Sequence, residues 1–324
     1  MPFHSRRAAL LALAASLIAP SAALAQTYPS RAITIVIGYT PGAVSDLTAR
    51  TIADGLTTAW GQPVIVDNRP GSGGNIGAAL VARAAADGYT LMIGTDAQMA
   101  SNVHLYKHAG FDPVKDFAPV AYAGANIICL AVNAALPIKT VSDVIEYAKQ
   151  NPGKLNYGSS GTGSPHHLAG ELLRQKTGID IAHIPYKGGG AAVNDLIGGH
   201  IGMAFLSLSA AVPHIGSGKI RIVAMVEKTR YAAMPDIPTV GETVPGFEMS
   251  SWIGVFAPAG TPAAIVAQLN AAIAKILTGE AVKAKLAKLG LVVAAGSPEE
   301  LAGVVKEGLR VRGELIKAAG IQAE

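Results

Sequence analysis

From Ile33 onward the chain repeats one phrase: a short β-branched run, a loop rich in Gly or Ser, and then an alanine-rich helical pattern. Such alternation points to parallel sheets with crossover helices, because a strand that re-enters its sheet in the same direction needs a long connection. The runs expected as strands are residues 33–38, 64–67, 90–94, 127–132, 155–158, 201–205 and 220–226. Helical periods are expected over 45–60, 76–86, 141–150, 164–177, 191–197, 262–277, 280–289 and 298–319. The fold class that follows is α/β, each sheet flanked by helices.

A chain of 324 residues, 50% of them hydrophobic, is long enough for two lobes with separate cores. The runs 119–123 and 127–132 are separated only by Gly124-Ala125-Asn126, which reads as one continuous crossing between lobes. A second crossing is expected between Val226 and Ser251, where Pro235, Pro238, Pro245 and Gly246 interrupt any helical period. The expected organisation is residues 26–124 with 250–324 as lobe one and 125–249 as lobe two, including the crossings. Two crossings make a hinge.

The N-terminus carries Arg6-Arg7, an apolar run from Ala8 to Ala19, Pro20 and Ser21, and then Ala23-Leu24-Ala25. That is the pattern of an export signal over residues 1–25, cleaved before Gln26, with the mature protein in the periplasm. The paired arginines fit either of two export routes. Later apolar segments are too broken by Gly, Pro or charge to cross a bilayer. Cys129 is the only cysteine and lies in an apolar run, so a buried strand thiol is expected and an internal disulfide is excluded. The net charge of +4 is modest, and the basic residues are scattered rather than clustered, which argues against nucleic acid as a partner.

Two loops stand out because each follows an expected strand and precedes an expected helix, the place where an open α/β sheet presents a ligand. The first holds Tyr39, Thr40, Pro41, Gly42, Ala43, Ser45 and Asp46. Its small residues let the backbone approach a ligand, and the unpaired amides at the helix start favour an anion. Ser45 or Asp46 would equally suit an ordinary N-cap. The second loop, Ser159, Ser160, Gly161, Thr162, Gly163 and Ser164 ahead of Pro165, His166 and His167, gathers hydroxyls and glycines before a helix. Thr95 and Asp96, at the end of another strand, offer side-chain contacts or a helix cap.

Other segments carry less. Gly71-Ser72-Gly73-Gly74-Asn75-Ile76-Gly77 lacks the third glycine of a dinucleotide loop and the Lys of a P-loop, and is expected to be a structural turn. His166 and His167 are adjacent and diverge on a helix, so they do not form a metal pair; one is expected to face the cleft and the other the core. His183, His200 and His214 read as isolated surface or packing residues. No nucleophile elbow is present. Neither a metal nor a cofactor is expected. A secreted α/β hydrolase or lyase remains the alternative, with Asp46, Asp96, His166 and His167 as its candidate bases.

The chain resembles the Bug receptors, extracytoplasmic solute receptors of tripartite tricarboxylate transporters, across nearly the whole region after the signal. The resemblance is carried by Tyr28-Pro29-Ser30-Arg31, Gly61-Gln62-Pro63-Val64, Asn68-Arg69-Pro70-Gly71, Gly74-Asn75-Ile76-Gly77, Asp87-Gly88-Tyr89-Thr90-Leu91, Leu155-Asn156-Tyr157-Gly158, His166-His167-Leu168-Ala169-Gly170-Glu171, Ile184-Pro185-Tyr186-Lys187-Gly188 and Ala257-Pro258-Ala259-Gly260-Thr261-Pro262. It implies a two-lobed type II periplasmic binding protein fold, with a small carboxylate in the interlobe cleft, held by the first and second loops partly through water. It also implies delivery of the ligand to integral membrane subunits or to a sensor kinase ectodomain, and no enzyme activity; capture by hinge closure needs only a monomer. Two departures from the family pattern stand out. Gly42-Ala43-Val44-Ser45 stands ahead of Asp46 where the family commonly has a run of glycines, which puts a larger side chain near the pocket, and Leu206, before Ser207, stands where an Asp is expected. If Leu206 faces the ligand, it would disfavour an ammonium group, which a closed apolar cleft leaves without a counter-charge.

Overall fold

The structure, a computed structural model, describes residues 28–321. The chain divides into a unit of residues 1–30 and a unit of residues 31–324, and every element below belongs to the second. The expected export signal, residues 1–25, lies outside the described residues.

In chain order the elements are β1 (Ile33–Ile37), α1 (Val44–Trp60), β2 (Val64–Asn68), α2 (Asn75–Ala82), β3 (Thr90–Thr95), α3 (Asn102–Leu105), β4 (Phe117–Asn126) and β5 (Ile128–Asn133). There follow α4 (Val141–Gln150), β6 (Asn156–Ser159), α5 (Pro165–Thr177), β7 (Ala182–Pro185), α6 (Gly189–Gly198), β8 (Met203–Ser207), α7 (Leu208–Ile215) and β9 (Ile220–Met225). The chain ends with β10 (Trp252–Pro258), α8 (Ala263–Leu277), α9 (Glu280–Lys288), β11 (Leu291–Gly296) and α10 (Pro298–Ala319). Helix boundaries follow local chemistry. At α10, Ser297 Oγ accepts from Glu300 N at 3.2 Å while Glu300 Oε2 accepts from Ser297 N at 2.8 Å, a reciprocal cap ahead of Pro298.

Among the described residues the strands form two sheets, ordered β11-β4-β10-β3-β1-β2 and β7-β6-β8-β5-β9. Neither is wholly parallel, which corrects the expectation from the sequence. β10 runs antiparallel to β3 and β4, β11 antiparallel to β4, and β5 antiparallel to β8 and β9. The reason is connectivity. β5 and β10 enter their sheets directly from the other lobe, with no crossover helix to turn the chain round.

Register fixes where the loops emerge. β1, β2, β3 and β4 share one direction, so Gly38, the residues after Asn68, Thr95 and Asn126 lie on one edge of the first sheet, with Trp252 and Leu291 beside them. β6, β7, β8 and β9 likewise share a direction, which puts Ser159, Pro185, Ser207 and Met225 on one edge of the second, beside Ile128. Asn126 and Ile128 are separated by a single residue, so the two edges meet across a seam.

Burial holds this seam closed on one side. Leu105 of α3 and Ile316 of α10, on elements packed with the first sheet, enter the second sheet's core beside Leu168, Leu173 and Phe205. Burying side chains of that size stabilises by ~2 kcal/mol each.

Candidate functional site

The first loop leaves β1 at Gly38 and enters α1 at Val44. No side chain caps this helix at Ala43; the carboxylate of Asp46, in its first turn, reaches back instead. Asp46 Oδ2 accepts from Gly42 N at 3.0 Å and from Arg50 Nε at 3.1 Å, while Oδ1 accepts from Arg50 Nη2 and Asn68 Nδ2, each at 3.0 Å. Asn68 Nδ2 also donates to Tyr39 O at 3.0 Å, tying the loop to the end of β2. Burial pushes the Asp46 carboxyl up, but the bonds from Arg50, Gly42 and Asn68 outweigh it and hold the group below its ordinary value. Asp46, expected as a ligand contact, is 1% exposed with both oxygens bonded within the loop and its neighbours. Thr40, Pro41 and Gly42 stay exposed, Ala43 is half-buried, and Ser45 is buried. Tyr39 OH and Thr95 Oγ1 lie 2.9 Å apart, joining this loop to the end of β3.

The second loop is held without charge. Ser159 Oγ accepts from Gly161 N at 3.0 Å and stands 2.7 Å from His183 Nε2. Ser164 caps α5, accepting from His167 N at 3.2 Å and donating to Gly161 O at 2.7 Å. Gly163 N donates to His167 Nδ1 at 3.0 Å. The rings of His167 and His183 stack at 3.8 Å, and Tyr157 lies 5.0 Å from His183. His183 is therefore not the isolated residue expected from its spacing; the pairing of β7 with β6 brings it into the stack. Ser159 and Ser164 are spent on loop shape, which leaves Ser160 and Thr162, both half-buried, as the hydroxyls available to a ligand.

His166 faces the seam rather than the core. Its Nδ1 is 2.6 Å from Ser160 Oγ and its Nε2 is 3.3 Å from Ser207 Oγ. Burial pushes its pKa down to about 4 and that of His183 down to about 3, helped in His183 by the neighbouring His167, so both rings are neutral near pH 7. A Ser–His pair of this kind is not a poised nucleophile and base. The ring is too weak a base, and its far nitrogen meets a hydroxyl rather than the carboxylate that would stabilise an imidazolium.

The seam holds one residue that sequence spacing did not single out, Asn102. Asn102 Nδ2 donates to Gly73 O at 3.0 Å and to Asn75 Oδ1 at 2.6 Å, and Gln98 Nε2 donates to Gly74 O at 3.0 Å. A side chain at Gly38 would stand 2.6 Å from Gly74 O, and one at Gly163 would collide with Leu105 Cδ1. The turn at Gly71–Gly77 therefore packs on the root of the first loop, while α3 touches the second loop at Gly163. Gly163 has φ +78, a second reason for glycine there. The signal for Asn102 was weak, because it lies on a π-helical turn and short helix after β3 rather than in a Gly-rich loop.

Two expected contacts move elsewhere. Leu206 is fully buried with Ile127, Cys129, Ala204 and Leu208 in the core between the second sheet and its helices, so it does not face a ligand. Strand alternation is the reason: Ser207, one residue on, is the side chain turned to the seam. Asp96 is 1% exposed; its oxygens accept from Ser251 Oγ at 3.0 Å and from Arg312 Nη2 at 3.2 Å. Arg312, on α10, also donates to Ser250 O and Met249 Sδ. Asp96 thus ties the end of β3 to the second crossing and the C-terminal helix. Burial pushes its carboxyl up against the pull of that guanidinium.

At the hinge, Glu227 Oε1 accepts from Ile128 N at 2.7 Å while Oε2 is buried without a partner, and burial raises the carboxyl to about 7. Cys129 is fully buried and its thiol is pushed up. Among the described residues no group of three His, Cys, Asp or Glu side chains is placed to hold a metal ion.

Residues 48–321 match the family model described as "Tripartite tricarboxylate transporter family receptor". Protein BugT of Bordetella pertussis is 34% identical over 298 residues, covering 91% of each chain. Among solved structures, Rpa4515 of R. palustris with adipate superposes with a TM-score of 0.87 at 38% identity, covering 91% of this chain and 99% of that one. MatC of Rhodopseudomonas palustris with bound malate superposes with a TM-score of 0.82 at 32% identity, covering 89% and 100%. The two-lobed fold is therefore that of the type II periplasmic binding proteins, and the chain belongs to the receptor family of the tripartite tricarboxylate transporters, as a solute-binding protein rather than an enzyme.

Proposed function

We propose that this protein is a periplasmic receptor that captures a small di- or tricarboxylate or aromatic acid in the seam between residues 39–46 and 159–164 and delivers it to integral membrane subunits. One observation carries the reading: two loops from facing sheet edges each open a helix at the same seam, with Thr40, Ser160 and Thr162 left as hydroxyl donors while Arg50 is spent on Asp46. Helix-start amides and hydroxyls suit an anion without a formal counter-ion. Relatives with adipate or malate bound support a carboxylate. Closure about crossings at residues 126–128 and 226–251 would engage both loops at once. The export pattern at residues 1–25 supports the address, and capture by a hinge needs only a monomer.

A thermal-shift and titration panel of mono-, di- and tricarboxylates, aromatic acids and acidic amino acids tests the reading. A selective rise in Tm with a carboxylate is the expected result, since only binding to the native state raises it. Loss of that rise in both Thr40→Ala and Thr162→Ala places the ligand at the seam; an unchanged response in both overturns that location.

A further inference from the structure

One side chain at the hinge is bonded to serines at the end of β8 and at the second crossing. Asn126 ends β4 at the first crossing. Its Nδ2 donates to Ser207 Oγ, at the end of β8, over 3.1 Å and to Ser251 Oγ, at the second crossing, over 3.3 Å. Beyond Ser251 lie Asp96 and Arg312; beyond Ser207 lie His166 and Ser160. The hydrogen-bonded chain runs unbroken from the C-terminal helix, through both crossings, to the second loop.

Proton accounting gives this chain a direction. A guanidinium only donates, and the carboxylate it pairs with only accepts. Ser251 therefore gives its one proton to Asp96 Oδ1 and accepts from Asn126. That turns the Asn126 nitrogen toward both serines, one hydrogen to each. Its Oδ1 is left as the buried atom without a partner. The flipped amide would strand two donors instead of one acceptor, at greater cost. Ser207 accepts from Asn126, and the one acceptor for its own proton among the described residues is His166 Nε2, to which it is given. The His166 ring is neutral, so its single proton sits on Nδ1 and goes to Ser160 Oγ. The Ser160 oxygen accepts from within the protein, and its proton is left for an outside acceptor.

We propose that Asp96 and Asn126 are positioning residues that set ligand specificity: acting through Ser207 and His166, they leave Ser160 a donor, so the ligand group taken there is a carboxylate and not an ammonium. The inference rests on the seam being the ligand site. An ammonium cannot accept the Ser160 proton and would leave it unpaired, whereas a carboxylate takes it. A preference against amines thereby acquires a physical basis that Leu206, buried in the core, does not provide.

The tautomer of His166 is the direct test, read in the purified protein by long-range nitrogen–proton NMR and assigned with His166→Gln. The expected result is a protonated Nδ1 and a bare Nε2; a ring protonated on Nε2 overturns the inference and leaves the receptor reading standing. Asn126→Asp is nearly isosteric but accepts only, so Ser207 must give its proton to it. The His166 proton should then move to Nε2, the Ser160 proton should turn to Nδ1, and the Kd for adipate or malate should rise about tenfold. A reversed tautomer with an unchanged Kd would falsify the link to specificity. If that variant does not fold, Ser207→Ala removes the Nε2 donor: a mixed tautomer and a Kd raised several-fold are expected, and an unchanged Nδ1–H ring overturns the relay. If no carboxylate binds the wild type, the proposed ligand class fails, and the conclusion about Ser160 fails with it, whatever the tautomer.

Discussion

The loops that face each other across the seam are built from similar residues yet held by opposite chemistry. Residues 39–46 are clasped by one carboxylate, Asp46, with Arg50, Asn68 and the Gly42 amide around it. Residues 159–164 are held by neutral imidazoles and hydroxyls, with His166, His167 and His183 all kept uncharged by burial. A clasp built on a carboxylate keeps its shape until very low pH, whereas one built on neutral histidines is vulnerable as soon as the imidazoles begin to take protons. The two halves of the site therefore differ in what breaks them.

The largest effect is expected from Asp46→Ala. It removes the acceptor of four N–H bonds, one each from Gly42 and Asn68 and two from Arg50, and should cost ~3 to 4 kcal/mol in denaturant unfolding, with ligand affinity lost together with loop one. A cost below ~1 kcal/mol would mean that Arg50 and Asn68 reorganise freely and that the clasp is not what holds the loop.

Acid should separate the loops. The His166 pKa falls from 6.5 unfolded to about 4 folded, so between those values the unfolded state binds the extra proton. Its stabilisation is complete above pH 6.5 and drains away toward pH 4, by ~3 kcal/mol at ~1.4 per unit. Asp46 has the same sign in a lower window: its folded pKa lies below 3.8, so its contribution is present above 3.8 and lost only below that value. Hydrogen exchange followed from pH 7 to 4 should show protection lost around residues 159–167 while residues 42–50 stay protected. Simultaneous loss would erase the distinction. Glu227→Gln calibrates the same scan at the hinge. The wild-type carboxyl rises from 4.5 unfolded to about 7 folded, so the variant should gain stability as pH climbs through that interval, by up to ~3 kcal/mol, and match wild type below pH 4.5.

Gly163→Ala sharpens the comparison sterically. A left-handed φ and the nearby Leu105 together should cost about 2 kcal/mol, measured as a fall in Tm. The smallest effect is expected at Thr40→Ala. That exposed residue has no side-chain partner among the described residues, so stability should move by less than ~0.5 kcal/mol while ligand affinity falls several-fold.

Much of this fold was legible because its local chemistry is explicit. The helices Val141–Gln150 and Pro298–Ala319 appear where the helical period placed them, and the strand-loop-helix phrases at Ile37 and Ser159 put both candidate loops where they stand. β7, β10 and β11 were not among the strands expected. Each is short or lies at a crossing, and its strand state depends on a partner distant in sequence. At the site, Thr40, Ser160 and Thr162 are candidate ligand donors, whereas Asp46, Asp96, Ser159 and Ser164 are engaged in hydrogen bonds within the framework. A Ser or Asp beside a helix start looks the same in sequence whether it caps, clasps or contacts a ligand.

The sequence by itself determined the class of fold, the existence of two lobes and the two donor-rich loops, because periodicity, glycine and proline act over a few residues. Only the tertiary structure decided that Leu206 turns inward and Ser207 outward, that His183 stacks on His167, and that Asn126, Ser207 and Ser251 meet at the hinge. Those outcomes depend on strand register and on pairing between residues separated by tens of positions along the chain. A one-residue change of register would reverse the faces of β8, and local propensity does not specify that register.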